Sequence, residues 1–281
     1  MFAIALALGA TLSWGVSDFL GGLMARRIAV LAVIVVSQCA GITVIAIAVA
    51  AAGEPAPEAA FVPYAAAAGL AGVCGLTAFY AGLAAGKMSV VAPISSMAVL
   101  VPVVVGVATG DRPSALQAIG VALGISGILL ASRESADQAH GDTRMAAGVG
   151  LALLSGLAFG CFFVGMDVAA DYDPLWANLV NRGTSLSLGV LAVLAFRPSF
   201  RGVDRGVLPT LVALGVLEMS ANVGFAFAAT KGLLSLTSVV ASLYPVVVVL
   251  LAWLVLHERL HRFQKVGVAC ALLGVALIAG G

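Results

Sequence analysis

Charge is scarce in this chain. Only 10% of its 281 residues are Asp, Glu, Lys or Arg, and lysine occurs at three positions, Lys87, Lys231 and Lys265. Such a sequence has no basic block for nucleic acid, and a net charge of +1 exerts no long-range pull on one. Histidine is equally rare. His257 and His261 are four apart, but they flank a break between apolar runs, and neither an HExxH pair, a phosphate loop nor a nucleophile elbow occurs. These absences argue against an enzyme, a bound metal or a cofactor. Cys39, Cys74, Cys161 and Cys270 stand singly in apolar runs, with no spacing that suggests a disulfide or a zinc site, so reduced cysteines buried as small apolar residues are expected. Asp167, Asp171 and Asp173 cluster before Pro174. With no His or Cys beside them they read as a solvated acidic turn rather than a metal site.

What fills the chain is apolar: 62% hydrophobic residues and 33 glycines, a composition that places it in a bilayer. A crossing needs about 20 apolar residues. Breaks containing charge or proline leave ten segments of roughly that length, at 3–25, 28–52, 62–86, 89–109, 114–131, 145–168, 174–196, 207–230, 234–256 and 263–280. The first has no Lys or Arg ahead of it and runs past Trp14 to Met24, so a retained helix is expected rather than a cleaved signal. The expected fold is therefore all-α and polytopic.

The chain also repeats itself. Trp14-Gly15 answers to Phe159-Gly160, Pro63 and Gly69 to Pro209 and Gly215, Lys87 to Lys231, and Asp111-Arg112 to Glu258-Arg259. Gln117, Gly120 and Gly127 follow the first acidic-Arg turn at the offsets at which Gln264, Gly267 and Gly274 follow the second. Two five-helix repeats, 1–131 and 145–281, are joined by the polar linker 132–144. The register shift at the last match lengthens the ninth segment against the fourth after Tyr244-Pro245. Five crossings per repeat is an odd number, so the second copy enters from the opposite side and the repeats are inverted. Loop charge agrees: Arg26 and Arg27 follow the first segment but no cation follows the sixth, whereas none follows the second and Arg197, Arg201 and Arg205 follow the seventh. Most basic residues follow odd-numbered segments, with only Arg112 and Lys231 after even ones, and this rule puts both termini outside.

Glycines four apart, at Gly82/Gly86, Gly120/Gly124 and Gly156/Gly160, are the pattern that lets helices approach closely in lipid. Ionisable residues inside a crossing cost about 2.5–3.5 kcal/mol and normally face a cavity or a partner. Three qualify here. Glu218 lies mid-segment with Asn222 one turn on, Arg182 has Asn178 one turn back, and Asp18 follows Trp14 by a turn. Glu218 and Arg182 suit either a central binding site, with Glu218 exchanging a proton, or a buried pair that locks two helices. Asp18 suits the cavity wall or the membrane interface beside Arg26 and Arg27. Gln38 stands where the repeat would put a second Arg182, which predicts an asymmetric centre. Pro102 and Pro245, the latter after Tyr244, are expected to bend the fourth and ninth segments.

With its two five-helix halves, Trp14-Gly15 in the first helix and the ending His257-Glu258-Arg259-Leu260, Gln264, Gly267, Gly274, the sequence resembles the drug/metabolite transporter superfamily, specifically its ten-helix EamA-type members. The first half departs from that ending with Asp111-Arg112-Pro113. The resemblance covers essentially the whole chain. It implies an inner-membrane carrier of the bacterial type that moves small metabolites, often as an exporter of amino acids or related compounds, through alternating access. It also implies cytoplasmic termini, against the charge rule. The expected partners are a small-molecule substrate and the lipid bilayer, with the chain a monomer or weak homodimer. Glu218, Arg182, Asn222 and Asn178 are the expected central site, and Trp14, Asp18, Tyr80 and Tyr244 its walls. A proton-independent facilitator keeps the same cavity, whereas a membrane scaffold has a filled, dry interior.

Overall fold

A computed structural model describes residues 2–86, 88–137, 143–231, 234–241, 243–257 and 262–280. Twelve α-helices make up these residues: α1 (Phe2–Ala25), α2 (Val30–Ala52), α3 (Val62–Ala85), α4 (Met88–Ser95), α5 (Leu100–Thr109), α6 (Ala115–Asp137), α7 (Thr143–Ala170), α8 (Pro174–Phe196), α9 (Leu208–Ala229), α10 (Leu234–Ala241), α11 (Tyr244–Leu256) and α12 (Arg262–Gly280). Each expected segment is present, the fourth as α4 and α5 and the ninth as α10 and α11. By length and composition, seven helical segments among the described residues suffice to cross a bilayer, and Leu100–Thr109 and Ala115–Gly127 are shorter apolar helices. Helix is the outcome because hydrocarbon offers the backbone no partner, and a helix satisfies its own.

Helix ends follow local chemistry. Pro63, Pro174, Pro209 and Pro245 lie in first turns, where a missing N–H costs nothing. Asp173 accepts from the amides of Leu175 and Trp176, both at 2.8 Å, so this member of the acidic cluster caps α8. Ser114 and Gln117 bond reciprocally, amide to side chain, at 2.9 and 3.2 Å. That is a capping box, and it explains the glutamine in the repeated ending. The matching Glu258-Arg259 turn lies outside the described residues. The 132–144 linker is shorter than expected: residues 132–137 continue α6, and α7 begins at Thr143.

Both half-length crossings break where a proline follows. A 3-10 turn, Ser96–Val99, separates α4 from α5, and Pro102 lies in the first turn of α5. In the second half Pro245 is the second residue of α11. The lengthening expected there is present, since α11 has 13 residues and α5 has 10.

The halves interlock. α1 packs on α9 as α7 packs on α3; α2 meets α9 as α8 meets α3; α1 meets α11 as α7 meets α5; and α2·α8 and α6·α12 join equivalent elements. Exchanging the halves maps this set of contacts onto itself. Repeat-equivalent glycines make the approach possible. A Cβ at Gly69 would fall 2.5 Å from the carbonyl oxygen of Asn181 on α8, and one at Gly215 would strike the carbonyl of Ser37 on α2. Gly15 abuts Val247 and the carbonyl of Tyr244, and Gly160 abuts Val101 and the carbonyl of Ala98. The Gly82/Gly86 and Gly156/Gly160 pairs are thus contact faces of the expected kind, the first against Gly148 of α7, the second against Ser95 and Ala98. Gly120 and Gly124 meet Gly274.

Leu12, Ile47, Leu70 and Leu194 are exposed on the outer face, as a lipid solvent allows. Cys39, Cys74 and Cys161 are free but also exposed, and Cys270 is half-buried. The expectation of buried cysteines fails because outward-facing apolar positions have no aqueous contact to avoid. Gly215→Ala is expected to destabilise the purified protein by about 1–3 kcal/mol, while Gly9→Ala, whose new Cβ meets nothing within 4 Å, leaves it unchanged or slightly stabilised. Thermal unfolding in detergent compares the two.

Candidate functional site

A cavity lies where the halves meet. It is lined by Trp14 and Asp18 of α1, Gln38 of α2, Gly72 and Leu76 of α3, Phe159, Phe162 and Phe163 of α7, Asn181, Arg182 and Ser185 of α8, Glu218 and Asn222 of α9, and Tyr244 of α11. About 50 Å³ of this cavity can hold the centre of a water-sized sphere. One water needs about 10–15 Å³ on that measure, so the cavity as it stands has room for a few waters.

The centre is an ion pair that faces this space. Arg182 Nη1 donates to Glu218 Oε1 at 3.1 Å and to Gln38 Oε1 at 2.7 Å. Gln38 and Arg182 are equivalents in the repeat, and they meet because α2 and α8 are equivalent helices in contact. The expected asymmetry is therefore a donor–acceptor match. Satisfaction is incomplete: Arg182 Nε and Nη2 and Glu218 Oε2 have no partner among the described residues. A buried pair in this condition recovers only part of its desolvation cost.

The walls are fixed by their own bonds. Trp14 Nε1 donates to Asn222 Oδ1 at 2.9 Å, and its ring lies 5.8 Å from those of Phe163 and Phe225. The Tyr244 hydroxyl is 3.3 Å from Ser95 Oγ, itself 2.8 Å from Ser155 Oγ. Tyr244 opens α11 and Ser95 closes α4, so this chain of hydroxyls ties the two broken crossings to each other and to α7. At the break after α10, the carbonyl oxygen of Val240 accepts from the Leu243 amide at 3.2 Å and lies 2.7 Å from the Thr11 hydroxyl of α1, which is also 2.8 Å from the carbonyl of Ala7.

Of the residues expected from the sequence, Trp14, Asp18, Arg182, Glu218, Asn222 and Tyr244 line one cavity. Tyr80 and Asn178 do not. Tyr80 is fully buried in α3, with its ring against Gly21 of α1 and its hydroxyl without a partner among the described residues. Asn178 lies behind the wall: its Nδ2 donates to Pro174 O at 2.8 Å and reaches Asn222 O at 3.5 Å. Gln38, expected only as the neutral counterpart of Arg182, joins the lining, and Asn181, Ser185 and the Phe159, Phe162, Phe163 stripe line it without having been expected there. A signal for them existed. Asn181 and Ser185 share the helical face of Arg182, and Phe159 is the repeat counterpart of Trp14.

The sequence pattern of the EamA-like transporter family matches residues 1–133 and again residues 146–280. The chain belongs to this family. Two relatives from Helicobacter pylori strains, each described as an uncharacterized transporter, are 28% and 27% identical over 133 residues, 47% of this chain and 45% of theirs. The EamA-like chain thus spans about half the length of the curated relatives it matches. A protein of known crystal structure, 19% identical, shares the fold with a TM-score of 0.73 over 98% of this chain and 95% of its own.

In this EamA-like protein the Arg182–Glu218 pair is separable from the wall by mutation. Arg182→Met strands Glu218 and is expected to cost about 3–5 kcal/mol, whereas Arg182→Met with Glu218→Met recovers most of that loss. A double-mutant cycle on thermal stability measures the coupling.

Proposed function

We propose that the protein is a secondary active transporter that exports a small metabolite, such as an amino acid or related amine, across a bacterial-type cytoplasmic membrane by alternating access. The observation that carries this is an incompletely satisfied polar cluster in a cavity at the junction of two interlocked halves, beside two crossings broken at equivalent places. Carriers built from inverted repeats hold their sites near the midplane at the repeat interface, next to discontinuous helices. A solute larger than a few waters enters this cavity only if the halves separate, and rocking of one against the other does that alternately at the two faces. Glu218 is the coupling group in this scheme. Protonation neutralises it, releases Arg182 and changes what the two halves share across the centre.

The close contact of Glu218 with Arg182 favours a second mechanism, a proton-independent facilitator or exchanger in which the pair persists throughout the cycle. Flux through reconstituted protein separates the two. A gradient of one pH unit supports about ten-fold accumulation of solute per coupled proton, and Glu218→Gln is expected to abolish this while retaining exchange at equal pH. Full gradient dependence in Glu218→Gln sinks the coupling role; no gradient dependence in the unaltered protein establishes the facilitator. Thermal-shift screening against a metabolite library supplies the solute to follow, since a bound ligand raises apparent stability.

A further inference from the structure

Most polar groups around the cavity are already engaged. Glu218 and Arg182 hold each other, Gln38 accepts from Arg182, Asn222 accepts from Trp14, and Ser185 donates to the carbonyl of Gly69 at 2.7 Å. The polar atoms left over, Arg182 Nε and Nη2, Glu218 Oε2 and Asn181 Nδ2, are closed off from open space. A Cβ added at Gly41 of α2 would lie 3.4 Å from Arg182 Nε, so that nitrogen faces a neighbouring helix. Asp18 is different. It lines the cavity, is 5% exposed, and makes no hydrogen bond or ion pair among the described residues.

The titratable groups electrostatically coupled to Asp18 are Glu218 of α9, Tyr80 of α3 and Tyr244 of α11, and Arg182 of α8 lines the same cavity. Arg182 is the one cation among them, and Glu218 already neutralises it. With both carboxylates ionised the enclosure carries one surplus negative charge. In an apolar surrounding such a charge is costly until a positive one arrives. The same cavity is lined by Trp14, Phe159, Phe162 and Phe163, whose ring faces attract cations and whose bodies bury apolar surface.

We propose that the cavity takes an organic monocation, an amine or larger ammonium ion on an apolar body, with its nitrogen against Asp18 and its body among these four rings. The inference rests on the transport function proposed for this cavity and narrows its substrate class. A zwitterion with the same body gains the Asp18 contact, but its carboxylate finds no open donor, because the spare nitrogens of Arg182 and Asn181 are closed off. An anion is repelled. A proton on Asp18 or Glu218 supplies the same single positive charge, so proton and cation are alternative occupants, and cation binding weakens as pH falls.

The test uses the purified full-length protein and three probes that share one phenyl body: phenethylamine (cation), phenylalanine (zwitterion) and phenylpropionate (anion). Calorimetric titration is expected to show the amine binding at least about ten-fold tighter than either other probe, the scale of one charge-assisted contact, and losing affinity on acidification. Asp18→Asn is expected to lower amine affinity at least about ten-fold, and Asp18→Glu to retain most of it. Equal or tighter binding of phenylalanine or phenylpropionate, no binding of the amine, or unchanged amine affinity in Asp18→Asn overturns the proposal. If Asp18→Asn does not fold, the probe series on the unaltered protein decides alone. Flux into proteoliposomes separates this inference from the one beneath it. Amine that binds but never crosses leaves the cation site standing and overturns transport. Phenylalanine that crosses while the amine neither binds nor crosses overturns the cation site and leaves transport standing.

Discussion

In hydrocarbon a backbone amide or carbonyl with no internal partner costs several kcal/mol, and water is absent to supply one. This constraint makes the outer face of the protein continuous helix and confines irregular backbone to its interior. The two breaks, at Ser96–Val99 and between α10 and α11, lie among other helices, where the carbonyl of Val240 is met by both the Leu243 amide and the Thr11 hydroxyl. Proline is tolerated just beyond each break because a first-turn residue needs no amide donor. A broken crossing is thereby held in place, and it ends in side chains, Ser95 and Tyr244, that meet near the cavity.

Close packing depends on the same economy of atoms. Lipid gives helices no hydrophobic reason to associate, so contact must come from backbone approach at small residues. Gly69 against α8 and Gly215 against α2 are the same contact made twice. They bring α2, α3, α8 and α9 close enough for Gln38, Arg182 and Glu218 to share one guanidinium. Had either position carried a side chain, the helices would stand further apart and the centre would lose its bonds. Architecture and electrostatics are linked at these two glycines.

The polar centre is economical but not complete. One cation answers one of two carboxylates, and the other faces open space within a wall of aromatic rings. A dry locking pair would bury both partners away from any cavity, whereas this pair borders one and leaves donors and an acceptor unmet. That imbalance is the feature on which the proposed transport site rests. It depends on the positions of the side chains and not on their number.

The sequence by itself determined the solvent, the ten crossings, the duplication and the location of both helix breaks. Each rests on a local signal: apolar run length, a repeated register, or a proline whose missing amide acts on its own helix. It also marked Trp14, Asp18, Arg182, Glu218, Asn222 and Tyr244, because polar or aromatic groups in an apolar run need a reason to be there. Only the tertiary structure decided which of these share a cavity, that Gln38 joins them, that Tyr80 and Asn178 stand outside the wall, and that Cys39, Cys74 and Cys161 face outward. Those outcomes depend on the rotation and spacing of helices more than a hundred residues apart in the chain. Helical periodicity fixes a face relative to its own axis, and only the close contacts at the glycines fix that axis relative to its neighbours.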